Sequence, residues 1–428
     1  MRDVVVTLIV LIGCIYTLKR PYFGVLLWSW LSYMSPHRLS WGFAYSMPFA
    51  KITAIVLLVS VLFSKEPKKI PLNSITIIWL LFIVLMILST LNAYFPEAAG
   101  EQLAKILKIQ LVTFVTMMVI TDIDRLRKLI WVVFVSIGYY SVKGGVYTIL
   151  TGGGSRVWGP PGSFIEDNNE LAIAILMTIP LMNYLRKETE KKWVKSILMV
   201  SICLSLFTVL GSQSRGALIA ICSVGLYYWW QSGSKIVSGF IVVIVVVTLS
   251  SFMPESWYTR MNTIETYEQD GSAMGRINAW RYSINAANDN LLGVGLMSWE
   301  PETFLIYGPD PTDVHAAHSI YFNVLADHGW VGLLMFLMIF YGAWRILGQI
   351  SERTDGDKEL SEHNNLAKML KVSLIAYFSG GVFLSLSYFD LPWHLVSFVV
   401  LLNEFTKKQL SGVEKLESNK SGNVKFVE

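Results

Sequence analysis

The sequence predicts an all-α polytopic membrane protein with about twelve spanning helices, on three observations. Of its 428 residues, 53% are hydrophobic and only 15% charged, a composition outside the range of ordinary soluble domains. Thirteen apolar runs follow one another along the chain. Between them, boundaries crowded with Lys and Arg alternate with boundaries that carry no lysine, the pattern that cytoplasmic retention of positive charge imposes on a multi-span protein.

The first two runs, 4–18 and 22–34, are joined by Lys19-Arg20-Pro21. Both fall short of the roughly 20 residues a spanning helix needs, so they read as a broken or re-entrant pair, which leaves the side of the N-terminus open. No small-residue cleavage site follows the first run, so it reads as a membrane segment rather than a signal peptide. Further runs lie at 49–64, 72–91, 103–121, 129–150, 168–185, 195–211, 216–231 and 235–253, then at 319–348, 368–389 and 391–406. The cationic clusters Lys65/Lys68/Lys69, Arg125/Arg127/Lys128, Arg186/Lys187/Lys191/Lys192 and Lys407/Lys408 assign 65–71, 122–128, 186–195, 349–367 and the tail to the cytoplasm. Segments 35–48, 92–102, 151–167, 211–215, 254–318 and the turn at Asp390 then face outward.

The chain therefore divides into N-terminal helices (1–253), one long outer loop (254–318), C-terminal helices (319–406) and a cytoplasmic tail (407–428). The polar stretch from about residue 411 reads as disordered. The loop is too short for an independent domain but can hold a few helices over a cavity. The 15 Trp and 19 Tyr fit aromatic belts at the two interfaces. Cys14, Cys203 and Cys222 fall inside apolar runs and read as small buried hydrophobes, not as a disulfide or metal set.

The outer segments carry arginines that topology disfavours: Arg156, Arg215, Arg260, Arg276 and Arg281. Arg is always charged and grips phosphate with two parallel donors, so these positions point to an extracytoplasmic site for a phosphorylated substrate. Arg215 lies in Gly211-Ser212-Gln213-Ser214-Arg215-Gly216, where Ser212 or Ser214 can cap a new helix and leave Arg215 in its first turn. Free N–H groups and the helix dipole there favour an anion; the alternative is an interfacial arginine reaching for water. Residues 272–288 show helical spacing, with Ser272 as a cap and Arg276 in the first turn above Trp280. Arg281, about 140° round the helix from Arg276, reads as structural or peripheral, and Arg260 likewise.

Asp313, His315 and His318 suggest a weak metal site. A single functional His318 at the mouth of the next helix, taking a proton from a hydroxyl near neutral pH, is more economical; a capping histidine is the plain alternative. The Gly/Pro-rich stretch from Arg156 to Gly162 with Glu166-Asp167-Asn168-Asn169-Glu170 lines a substrate site or is simply a well-capped turn. Lys105 and Lys108 at the outer start of a span are costly unless hydrated and are expected to face the same cavity. No phosphate-binding P-loop, dinucleotide glycine pattern or nucleophile elbow appears.

The ordered set Ser214-Arg215-Gly216-Ala217-Leu218, Gly275-Arg276 with Trp280, Asn290-Leu291-Leu292-Gly293-Val294-Gly295, and His318-Ser319-Ile320-Tyr321 with Gly329 and Gly332 resembles the bacterial O-antigen ligase and polymerase superfamily. The opening Lys19 to Trp28 and Pro36-His37-Arg38-Leu39 is similar to a subgroup described as O-glycosylation ligases. The resemblance implies a GT-C-like helical fold in the bacterial inner membrane, acting on the periplasmic face without a cofactor or metal. It implies a glycan donor on undecaprenyl diphosphate held by Arg215 and Arg276, with His318 as the family histidine and the lipid A core as acceptor. Arg156, Lys105, Lys108, Trp280, Tyr321, Arg281 and His315 are further substrate-contact candidates. Ser319 stands where many members have Asn. Polymerisation of glycan repeats or transfer to a protein hydroxyl uses the same donor. A lipid-linked sugar transporter would need charges near the middle of several spans; only Lys143 fits, and no internal repeat supports it.

Overall fold

The computed structural model describes residues 1–251, 253–255, 257–258 and 271–423. Arg260 lies outside them. The described chain is helical throughout, with 76% helix and no strand, as the apolar periodicity requires. The helices are α1 (Arg2–Lys19), α2 (Tyr22–Met34), α3 (Phe49–Phe63), α4 (Ser74–Leu91), α5 (Pro96–Val119), α6 (Ile123–Leu150), α7 (Asn168–Glu188), α8 (Lys192–Gly211), α9 (Arg215–Gln231) and α10 (Lys235–Ser251). Two loop helices follow, α11 (Gly271–Asp289) and α12 (Pro301–Tyr307), and then α13 (Ile320–Arg353), α14 (Ser361–Gly381) and α15 (Asp390–Asn423). Five of these, α4, α5, α6, α8 and α13, are long and apolar enough to cross a membrane on length and composition alone. The protein is a multi-pass helical membrane protein.

The basic boundaries gather at one end of the bundle. Arg125 pairs with Glu66 at 2.7 Å, Arg127 with Glu362 at 2.6 Å, and Asn365 donates to Glu188 at 2.7 Å. At the opposite end the 211–214 turn meets the 151–167 loop, where Gln213 Nε2 donates to the Gly153 carbonyl and Asn168 Nδ2 to the Ser212 carbonyl. The Asp3 carboxylate accepts from the Gly42 and Ala44 amides at 3.0 and 3.1 Å, so the N-terminus lies at this second end. Arg125 and Lys128 stack over Tyr22, so α2 starts at the basic end. The first two apolar runs are therefore two antiparallel helices, broken at Arg20 and Pro21, the second running from the basic end toward the other. Neighbouring helices supply the packing that their short length lacks.

Helix contacts in an apolar solvent rely on close approach and interhelical hydrogen bonds, since burial of apolar surface no longer drives them. The α6–α8 seam illustrates both. A Cβ on Gly145 would sit 2.2 Å from the Leu204 carbonyl oxygen. Alongside it Ser141 and Ser205 share a 2.8 Å hydroxyl bond, and Thr208 donates to the Ser141 carbonyl. Within the core, Trp79 Nε1 donates to Gln110 at 2.6 Å.

Three details depart from expectation. Helix α15 continues to Asn423, so the polar stretch from 411 to 423 is helical. Cys203 and Cys222 are exposed and Cys14 half-buried, because the outer face of a membrane bundle is itself apolar and needs no burial of a small hydrophobe. Helix α13 is broken at Gly329, whose φ of 67° and ψ of −171° lie in a region essentially reserved for glycine. A Cβ there would meet the Leu291 carbonyl oxygen at 2.3 Å and the Gly293 amide nitrogen at 2.8 Å. Gly329→Ala is expected to destabilise the protein by about 1–3 kcal/mol from backbone strain alone, read as a lower unfolding midpoint in detergent. An unchanged midpoint would mean that the break is not fixed.

Candidate functional site

At the end opposite the basic loops, α9 and α11 open a cavity of about 300 Å³ lined by Arg215, Ile219, Ala273, Arg276, Ile277, Trp280 and Phe383. Helix α9 starts as its sequence predicts: Ser214 is the N-cap, its Oγ accepts from the Ala217 amide at 3.2 Å, and Arg215 is the first helical residue. Gln213 is left-handed at φ 56°, which turns the chain sharply between α8 and α9. The guanidinium thus stands at the positive end of the helix dipole.

Helix α11 is described from Gly271. Ser272 falls inside the helix rather than before it, so Arg276 stands in the second turn, not the first. The face argument survives this shift, because Arg276 and Trp280 are four apart and both reach the cavity. Trp280 stacks on Phe322 with ring centroids 4.8 Å apart and donates from Nε1 to the Ala317 carbonyl at 2.8 Å. That bond fixes the residue next to His318 against the cavity wall. Gly275 gives the room: a Cβ there would meet His315 Nδ1 at 2.7 Å.

His318 is partly buried and left-handed, with φ 43°. A non-glycine residue in that region is uncommon and marks a constrained position. Burial lowers its pKa, the Arg276 guanidinium and His315 push the same way, and Asp167 opposes them. The ring is therefore held neutral, the form that accepts a proton. Asp167 caps α7, accepting from the Asn169 amide at 2.8 Å. Burial raises its pKa, but hydrogen bonds from Glu170 and Asn169 and the charge of His318 hold it below the usual value. Glu170 turns its carboxyl inward beside Asp167, with Oε2 buried. Asp167 is thus the carboxylate within electrostatic reach of the histidine, and Glu170, pushed up to about 8 by burial and by Asp167, is the protonated partner of Asp167. The sequence named that stretch without deciding between substrate site and turn, and it is a capped helix start within electrostatic reach of His318.

The other candidates disperse. His315 Nδ1 pairs with Asp313 at 2.7 Å, and among the described residues no three His, Cys, Asp or Glu side chains are grouped to hold a metal. Arg156 and Arg281 are exposed and do not line the cavity. Lys105 and Lys108 are exposed on α5, whose buried neighbours Ile106 and Ile109 take the inner face; the cavity lining does not include them. A lysine four carbons long reaches water from the helix surface and needs no cavity. Tyr321 donates its hydroxyl to the Phe378 carbonyl at 3.0 Å and supports the helix rather than the cavity wall. Ile219, Ile277 and Phe383 carried no sequence signal, since apolar lining looks like any other membrane helix.

Residues 1–190 match a family of unknown function, and residues 173–337 match the O-antigen ligase family. No curated protein matches the chain. The second match spans Arg215, Arg276 and His318, the three residues brought to this end of the bundle. Over residues 173–337 the chain is similar to the O-antigen ligase family, a match that supports placing it with the O-antigen ligase and polymerase superfamily.

Proposed function

We propose that the protein is an inverting, metal-independent O-antigen ligase of the bacterial inner membrane. On the periplasmic face it moves a glycan from undecaprenyl diphosphate to the lipid A core. The observation that carries this reading is the convergence of Arg215 and Arg276, from two separate helices, on one otherwise apolar cavity with His318 beside it. Two guanidinium groups in an apolar surround suit a diphosphate whose lipid chain must remain in the membrane.

The acceptor hydroxyl oxygen attacks the anomeric carbon from the side opposite the diphosphate. The carbon–oxygen bond to the diphosphate breaks, its electron pair stays on the departing oxygen, and the hydroxyl proton passes to His318. The arginines neutralise the charge gathering on the leaving group, work that a divalent ion does in other transferases. Asp167 offsets the positive charge that His318 then carries, while Glu170, pushed up to about 8 by burial and by Asp167, stays protonated and donates to Asp167. For the lipid chain, α9 offers an apolar run from Ile219 in the cavity to Tyr227. Tyr227 packs on Trp344, in the wall of a second apolar cavity of about 480 Å³ lined also by Leu337, Met338, Phe340, Tyr341 and Phe378.

The test is glycan transfer by the purified protein from an undecaprenyl diphosphate donor to lipid A core, with EDTA present. Transfer is expected to persist. Turnover only with a protein hydroxyl or a growing glycan as acceptor would keep the donor site and make the enzyme an O-oligosaccharyltransferase or a polymerase. Loss with EDTA, restored by a divalent ion, would overturn the mechanism and turn attention to Asp313, His315 and His318 as ligands.

A further inference from the structure

We propose that Asp327, Tyr388, His328 and Ser89 form a positioning brace that fixes the outer segment of α13, and with it His318, relative to the cavity. The inference rests on the role given to His318 above. Because α13 breaks at Gly329, the segment Ile320–His328 spans fewer than three turns and gains little rigidity from the long helix below it. Something else must hold it.

What holds it is a chain of buried polar groups. The Tyr388 hydroxyl donates to Asp327 Oδ2 at 2.7 Å and lies 2.8 Å from His328 Nε2. Ser89 Oγ lies 2.6 Å from His328 Nδ1, and Asn323 Nδ2 donates to Asp327 Oδ2 at 3.2 Å. All are buried except Asn323, which is partly so. The phenol has one hydrogen and gives it to Asp327, so His328 must donate from Nε2 to the phenol oxygen. Its Nδ1 then accepts from Ser89, whose one hydroxyl hydrogen goes to the ring nitrogen at 2.6 Å rather than to the Met86 carbonyl at 3.1 Å, which Thr90 already serves at 2.7 Å. The chain thus runs in one sense from Ser89 to Asp327.

Main-chain bonds set the segment from the other side. The Val294 amide donates to the Ala326 carbonyl at 2.9 Å, the Gly295 amide to that of Asp327 at 3.2 Å, and Ser387 Oγ to that of Ile320 at 3.2 Å. Helix α4, the turn between α14 and α15, and the 293–295 loop therefore all grip this one segment.

Apolar side chains of the same volume would fill the space with equal or greater stability. What a directional, buried network adds is a single arrangement, since any slip leaves a donor or acceptor unmatched in a low dielectric. His318 is joined to the braced segment through its N-cap Ser319 alone, whereas Arg215 and Arg276 stand on α9 and α11. Loosening the brace should displace the histidine and leave the donor's diphosphate contacts in place.

Tyr388→Phe in the full-length purified protein is expected to lower kcat by roughly 10- to 100-fold, the scale of a misplacement of about 1 Å, with the donor KM within about twofold of wild type. In a His318→Asn background the same substitution should cost nothing further, because the positioned group is gone. Losses that multiply in the double variant, or a donor KM that rises as kcat falls, would overturn the brace. If Tyr388→Phe fails to fold, Ser89→Ala removes only the outer contact and should show a smaller loss with the same non-additivity. Undiminished transfer by His318→Asn alone would instead sink the reading of His318 on which the brace depends.

Discussion

Removing either arginine of the cavity is expected to abolish practical turnover. Arg215→Ala or Arg276→Ala should each lower kcat/KM for glycan transfer by at least about 100-fold, the loss typical when one preorganised donor to a developing charge is deleted. The size follows from where they sit. Both line a cavity of about 300 Å³ whose remaining walls are Ile219, Ala273, Ile277, Trp280 and Phe383. In that apolar surround a charge interaction is screened far less than in water, so no solvent shell replaces a missing guanidinium. Arg→Lys at either position should recover only a small part, since an ammonium keeps the charge but loses the planar fork. The two losses should not be additive, because in the proposed mechanism both residues act on one leaving group. The measurement is steady-state transfer with donor concentration varied. A loss under tenfold in both alanine variants would remove the diphosphate from this cavity.

His318 is the second large effect. In the proposed role of general base its replacement is expected to cost about 100- to 10,000-fold, and the loss should appear in kcat, with donor KM little changed. The choice of variant matters here, because the residue is left-handed at φ 43°. Asparagine tolerates that backbone better than alanine does, so His318→Asn separates lost chemistry from strain. The unfolding midpoint should move little while transfer falls. The pH dependence has a definite sign. Burial, the Arg276 guanidinium and His315 depress the pKa of His318 below its ordinary value of 6.5, against the opposing pull of Asp167. A lowered folded pKa means that the unfolded chain binds the proton more readily. The stability contributed by the neutral ring is therefore present above 6.5 and is lost as pH falls through the folded value. Transfer should accordingly hold constant through neutrality and decline only below pH 6.5, with that acid limb absent from the residual activity of His318→Asn. An acid limb that persists in the variant would assign the titration to another group, with the Asp167 and Glu170 pair the next to examine.

Much of this was legible along the chain. Hydrophobic runs and basic boundaries alone gave the all-helical membrane class, because lipid forces backbone polar groups to pair within each segment. Ser214 ahead of Arg215 declared the start of α9, since N-capping is settled within four residues. The short runs 4–18 and 22–34 left the side of the N-terminus open because length was their only signal, while the bonds of Asp3 to Gly42 and Ala44 join residues some forty positions apart. Lys105 and Lys108 misled because a charge at a helix mouth looks the same whether it points into a cavity or out of the bundle.

The sequence by itself determined the solvent, the number and order of apolar segments, the basic end, and the residue types suited to a phosphate and a proton. Those are properties of composition and of spacing within one helix. Only the tertiary structure decided that Arg215 and Arg276 share one cavity while Arg156 and Arg281 do not. It also decided that Asp167 stands behind His318, and that Asp327, His328, Tyr388 and Ser89 meet at the break in α13. The physical reason is that each of these facts concerns side chains on different helices, and helix rotation in an apolar solvent is set by small-residue contacts and buried hydrogen bonds between segments. No periodicity within one segment encodes them.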